Sequence, residues 1–216
     1  MSDEAFVGRY GSWAVVAGAS EGLGAAWAEA LAARGLNLVL FARRPEVLDA
    51  AAAAIRARHR VDVRTQAFDL AGPGFGTELE RLAGSLEVGF GVFNAAHAPR
   101  GSFLDLSLED QLRSVDVNCR GPLTKADVLA CAAGATRTPG FLQASPHGEP
   151  GTIEPAQVVE EALGKLGRAG AMIPGRFNRF ASFLMRRVFS RGTAVGILGN
   201  RTRNLTLPPP ATRSSR

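Results

Sequence analysis

Gly18-Ala19-Ser20-Glu21-Gly22-Leu23-Gly24 is the stretch on which the reading of this chain turns. Residues 13–16 before it form a short apolar run with β-branched members, and residues 25–33 after it are alanine-rich and helix-favouring. The glycines therefore fall at a strand-to-helix turn. Such a turn lets the backbone approach a pyrophosphate closely, and the helix that follows aims unpaired N–H groups and the positive end of its dipole at the phosphates. Taken alone the spacing is a weak signal, because any tight strand-to-helix turn favours glycine.

Outward from this turn, apolar runs and helix-favouring stretches alternate. Strands are expected at 13–17, 36–42, 61–67 and 88–94, and helices at 22–33, 45–59, 76–83 and 108–125. In the second helix Val47, Leu48, Ala51, Ala52 and Ile55 recur at the spacing of a buried stripe. This order predicts an α/β protein with a doubly wound parallel sheet covered by helices on both faces. Beyond residue 125 come a short apolar run at 128–132, a Gly/Pro/Thr-rich loop to 151, a helix at 155–166 and a short strand at 171–174.

The 216 residues, 46% of them apolar, suffice for one globular α/β domain, expected over 1–200. Residues 201–216, with three consecutive prolines and a Ser/Arg end, read as a disordered tail. The start is polar and acidic, and no run approaches the roughly 18 apolar residues of a membrane span, so a cytoplasmic protein is expected. The net charge of +5 is a C-terminal property: from Ala162 onward there are eleven basic residues and no acid, and residues 1–161 are net negative. The basic region lacks interleaved tyrosines or a reader motif, so nucleic acid is not the expected partner. Cys119 and Cys131 have no metal-like spacing and His59, His97 and His147 are scattered, which gives no reason to expect a disulfide or a bound metal.

Several further residues fall where a dinucleotide needs them, and together they resemble the short-chain dehydrogenase/reductase family. Gly18-x-x-x-Gly22-x-Gly24 is similar to its glycine loop, with Ala17 where a threonine usually stands; Ser20, Glu21 and Leu23 lie inside the loop. Phe93-Asn94-Ala95-Ala96 resembles the family's Asn-Asn-Ala-Gly segment. Asp69, followed by Leu70, matches the acidic residue that contacts the adenine ring. Asn118 matches the helix asparagine that supports a proton relay. Residues 133–140 are similar to the Pro-Gly-x-x-x-Thr region beside the nicotinamide, with Thr136 as the candidate contact. The resemblance implies a Rossmann-like fold and an NAD(P)-dependent oxidoreductase. At the end of the second strand an acidic side chain would bind a ribose 2′-hydroxyl, whereas a cation accepts a 2′-phosphate; the residues here are Arg43 and Arg44, which favours NADP(H) over NAD(H). Glu21 works against that preference.

Carbonyl reduction in this family uses a tyrosine as proton donor, a lysine four residues on and a serine that orients the carbonyl. The chain's single tyrosine is Tyr10, ahead of the first strand; its lysines are Lys125 and Lys165, and no Tyr-x-x-x-Lys occurs. Gly134 follows Asn118 by only sixteen positions, whereas a strand-helix-strand unit needs roughly 30 residues. One central βα unit is therefore expected to be missing. The apolar run at 128–132 is then left either to fill the slot beside the fourth strand or to leave faces exposed, and the usual oligomer face is put in doubt. His97 is the one substitute proton donor near the nicotinamide end, and Ser107 reads as a helix N-cap with Asp110 three positions on.

Phe177, Phe180, Ala181, Leu184 and Val188 form an apolar stripe at helical spacing, bordered by Arg176, Arg179, Arg186, Arg187 and Arg191. The pattern suits a helix packed on the sheet, a cover over an apolar substrate, or peripheral membrane contact through 176–191. The sequence thus predicts an NADP(H)-binding oxidoreductase of impaired catalysis for an apolar carbonyl or alcohol, or alternatively a non-catalytic NADP(H) sensor or partner of an intact homologue.

Overall fold

The computed structural model describes residues 3–72, 74–99, 106–120, 130–166, 168, 171–187 and 193. Its centre is a parallel sheet of β1 (Trp13–Ala17), β2 (Asn37–Ala42), β3 (Val63–Ala67) and β4 (Val88–Phe93) in the order β3-β2-β1-β4. β1 is buried along its whole length and β2 over five of its six residues, which is why both read as continuous apolar runs rather than alternating ones. Register is continuous between β1 and β2, Trp13 opposite Asn37 through Ala17 opposite Phe41.

Helices cover both faces. On one, α2 (Gly22–Ala32), α3 (Pro45–Arg58) and α7 (Pro155–Lys165) bury Trp27, Ala28, Leu31, Leu48, Ala52, Ile55, Val159 and Ala162 with Val16, Leu38 and Leu40 of the sheet. The stripe expected in α3 is thus the packing face, with Leu48, Ala52 and Ile55 at its centre and Val47 and Ala51 at its margin. On the other face α4 (Phe75–Ala83) packs Phe75 and Ala83 on Trp13, Val15, Val39 and Phe41. A short helix, α1 (Asp3–Tyr10), is anchored by Phe6 and Tyr10, which make ring contacts with Phe90 of β4 at 5.9 and 5.4 Å.

The later part departs from the regular order. The helix expected over 108–125 is α5 (Leu108–Val115), followed by a π-helical turn at Asp116–Arg120; 121–125 lie outside the described residues. The described part of the apolar run, 130–132, does not pair with β4. β5 (Ala130–Cys131) pairs instead with β6 (Ala171–Met172) in a separate two-stranded parallel sheet. The loop expected up to 151 contains a helix, α6 (Pro139–Ala144), because Thr138 caps it by accepting from the N–H of Phe141 and Pro139 starts it. The last described helix is α8 (Arg176–Arg187); Val188 and Arg191 of the stripe, and the expected tail at 201–216, lie outside the described residues. Among the described residues no helix is long and apolar enough to cross a membrane.

A candidate dinucleotide cleft with an incomplete chemical end

The carboxyl ends of β1, β2, β3 and β4 converge on a cleft of about 640 Å³. This is where ligands sit in open parallel sheets. The ladder continues past the strands and fixes the loops: the N–H groups of Gly18 and Ala19 both donate to the Phe41 carbonyl, and those of Asn94 and Ala95 to the Ala17 carbonyl. Gly18 and Gly22 hold φ of +87° and +60°, a region that side chains with Cβ rarely adopt. Gly24 has the strictest requirement. A Cβ there would lie 1.9 Å from the Gly18 carbonyl oxygen and 2.8 Å from the Asn94 amide nitrogen, so the first turn of α2 lies directly against the glycine loop. Asn94 Nδ2 donates to that same carbonyl at 3.2 Å, tying β4 to the loop. Glu21, the N-cap residue of α2, is extended and supplies no side-chain cap, which leaves the helix N-terminus open to the cleft.

Of the residues expected from sequence, Gly18, Ser20, Glu21, Gly22, Leu23, Arg43, Arg44, Asp69, Leu70, Asn94, Ala95 and Ala96 line this cleft, as does His97. Gly24 stands immediately behind the loop. Arg43 and Arg44 follow β2 and are both exposed, but they are not equivalent. Arg44 pairs with Glu21 at 2.7 Å, whereas Arg43 makes no ion pair among the described residues. Asp69 accepts from Arg113 at 2.9 and 2.7 Å and from the backbone N–H of Ala71. Partial burial pushes its pKa up. The hydrogen bonds from Arg113 and Ala71 and the charges of Arg113 and Arg43 outweigh that and hold the carboxyl below its ordinary value.

Asn118 does not line the cleft. Its Oδ1 accepts from the His97 N–H at 2.9 Å and its Nδ2 donates to the His97 carbonyl at 2.8 Å, so the side chain clamps the loop after β4 from both sides. The His97 ring lies 3.5 Å from Asp110, too far for a good hydrogen bond. Thr136 is also away from the cleft. It is buried and donates weakly to the carbonyls of Ala133 and Gly134, because an isolated bridge from Thr136 to Ile153 turns it into the interior. The residues of this region that reach the cleft are Thr138, Pro139, Gly140 and Gln143. The Thr138–Pro139 pair, a helix cap followed by a favoured first-turn residue, is the signal that marks them. Arg113 and Val117 of the α5 region also line the cleft and were missed; nothing in their spacing singles them out.

The arrangement fits a dinucleotide at its nucleotide end: a cradle that only glycine permits, an uncapped helix N-terminus, and cations after β2. Among the described residues that line it there is no tyrosine and no lysine. Tyr10, the chain's single tyrosine, packs on Phe6 and Phe90 at the opposite end of the sheet.

Comparison with known proteins agrees with this architecture. A very-long-chain 3-oxoacyl-CoA reductase of Podospora anserina is 31% identical over 207 residues, covering 78% of this chain and 61% of that protein, so the chain spans under two thirds of that relative. A 7beta-hydroxysteroid dehydrogenase of Collinsella aerofaciens is 24% identical over 233 residues, covering 79% of this chain and 89% of that protein. That match is longer than the 216-residue chain itself, so the relative carries residues inside the matched stretch that this chain lacks. A solved structure from a study of 7beta-hydroxysteroid dehydrogenase stereoselectivity superposes with a TM-score of 0.80 at 22% identity, covering 89% of this chain and 98% of that one. A short-chain dehydrogenase from Sphingobium yanoikuyae in complex with NADPH gives 0.64 at 20% identity, covering 93% and 99%. Residues 12–132 match the family model of the short chain dehydrogenases, and the chain belongs to that family.

Proposed function

We propose that the chain binds NADP(H) in this cleft in preference to NAD(H) and that it is impaired as an oxidoreductase of apolar carbonyls or alcohols. The observation that carries the nucleotide reading is the steric cradle of Gly18, Gly22 and Gly24 beside the cations that follow β2. When bound, the nicotinamide supplies or accepts a hydride. The chain's own residues hold the rest: uncapped N–H groups of α2 face the phosphates, Arg43 meets the 2′-phosphate, and the Asp69–Arg113 pair borders the adenine side. Arg43 carries the preference because Arg44 is drawn to Glu21. The names of the two curated relatives support an apolar substrate class.

Impairment rests on the missing Tyr-x-x-x-Lys. Without a positioned donor, general-acid assistance of about 10²–10⁴-fold is forfeited. That same absence favours the second reading, a nucleotide sensor or a partner of an intact homologue.

The preference is tested by titrating NADPH and NADH into the wild-type chain and Arg43→Ala. The expected result is a loss of NADPH affinity of about tenfold with NADH affinity unchanged, the share of one charge-assisted contact. Equal losses for both nucleotides, or none, would overturn the assignment of Arg43.

A further inference from the structure

Helix α8, Arg176–Arg187, contains no acid, and three of its phenylalanines are exposed. Phe177, Phe180 and Phe183 retain 52, 60 and 57% of their surface. Asn178, Ala181, Ser182, Leu184 and Met185 are half-buried, so the apolar stripe read from sequence is divided: Ala181 and Leu184 are half-buried while Phe177 and Phe180 stay exposed. Two contacts fix the helix in this orientation. Asn178 Nδ2 donates to the Gly151 carbonyl at 3.0 Å, and Arg179 pairs with Glu161 at 2.7 Å. Glu161 is itself held by the N–H of Gly175, at the start of the helix.

The outward face thus sets Phe180 and Phe183 beside Arg176 and Arg187 on a fixed support, with Arg179 turned aside to Glu161. Among the described residues neither Arg176 nor Arg187 makes an ion pair, and residues 162–216 carry no acid. Ordinary surface helices place mixed charges outward; aromatic side chains interleaved with unopposed cations match instead an interface that is apolar below and anionic above. We propose that α8 is an interfacial helix that seats the protein on an anionic lipid surface, Phe180 and Phe183 entering the acyl boundary while Arg176 and Arg187 meet lipid phosphates and carboxylates. Its 12 described residues extend about 18 Å, long enough to lie in the headgroup plane. This inference is independent of what the cleft binds.

The test is flotation of the full chain with vesicles of phosphatidylcholine, alone or mixed with phosphatidylserine, at low and high salt. Flotation with the phosphatidylserine vesicles, weakened by salt and small with phosphatidylcholine alone, is the expected result. Phe180→Ser/Phe183→Ser and Arg176→Gln/Arg187→Gln each lower partitioning by about tenfold or more, and Arg176→Lys/Arg187→Lys keeps it, since the charge is retained. All sites are exposed, and a melt of each variant matching the wild type confirms that the fold is intact. The proposal is overturned if the chain stays at the bottom with every vesicle, or if the variants float like the wild type. It is equally overturned if the phenylalanine variant abolishes a concentration-dependent dimer in lipid-free solution, which would assign the face to a second copy.

Discussion

The two parts of this chain use the same alternation of strand and helix, yet only the first buries its strands. β1 is enclosed over all five residues and β2 over five of six, whereas β5 and β6 are two residues each and Ala171 of β6 is exposed. α2 buries Gly24, Trp27, Ala28, Leu31 and Ala32; α5 buries nothing and leaves Leu108, Leu112 and Val115 in solvent. Among the described later helices α7 joins the main core through Val159 and Ala162, packed on α2. The later part therefore leans on the nucleotide unit rather than extending its sheet. Packing thus fixes the cleft in the first part from several sides, while among the described residues no strand extends the main sheet beyond β4.

A single methyl group sharpens the comparison most. Gly24→Ala puts a Cβ 1.9 Å from a backbone carbonyl that cannot rotate away, so α2 must lift from the loop. The expected loss is on the order of 3 kcal/mol, read as a fall in Tm of roughly 10 °C together with loss of nucleotide binding. Gly140→Ala in α6 meets nothing within 4 Å, and its melt stays within about 0.5 kcal/mol of the wild type. Equal costs at the two sites would break the contrast.

A smaller effect comes from acid. The Asp69 carboxyl has its pKa lowered in the folded chain, so its stabilisation is complete above the ordinary value of 3.8 and is lost as pH falls below it through the folded value. Asp69→Asn removes the ion pair with Arg113, costing under about 1 kcal/mol because both side chains are partly exposed. Melts of the variant and the wild type should differ near neutrality and converge in strong acid. A gap that persists there would show that Asp69 stabilises by something other than its charge.

Much of the first part was legible because its signals are local and redundant. The strand-like segments that become β1 to β4 alternate with helix-favouring ones, and the observed strands lie within two residues of the expected ones. The glycine loop declared itself through steric demands that the structure makes explicit at Gly18 and Gly24. What was not legible depends on tertiary contacts. α1 is anchored by contacts of Phe6 and Tyr10 with Phe90, some 80 residues away. The Glu21–Arg44 pair divides two adjacent arginines that look alike in sequence. Thr136 and Thr138 are two positions apart, and the turn into α6 decides that the second, not the first, reaches the cleft. The pairing of β5 with β6 links segments about 40 residues apart, so no local pattern announces it.

The proposed function requires a nucleotide half of the site that binds and a proton-donating half that does not work. The most direct test follows energy transfer from Trp13 and Trp27 to NADPH as it is titrated into the chain, and then nicotinamide absorbance once a panel of apolar ketones is added. Saturable binding at micromolar NADPH with no consumption above the protein-free rate is the predicted result. Sustained turnover would contradict the account by revealing a working proton donor, and absence of any NADPH binding would contradict it by showing that the cradle is only a structural turn.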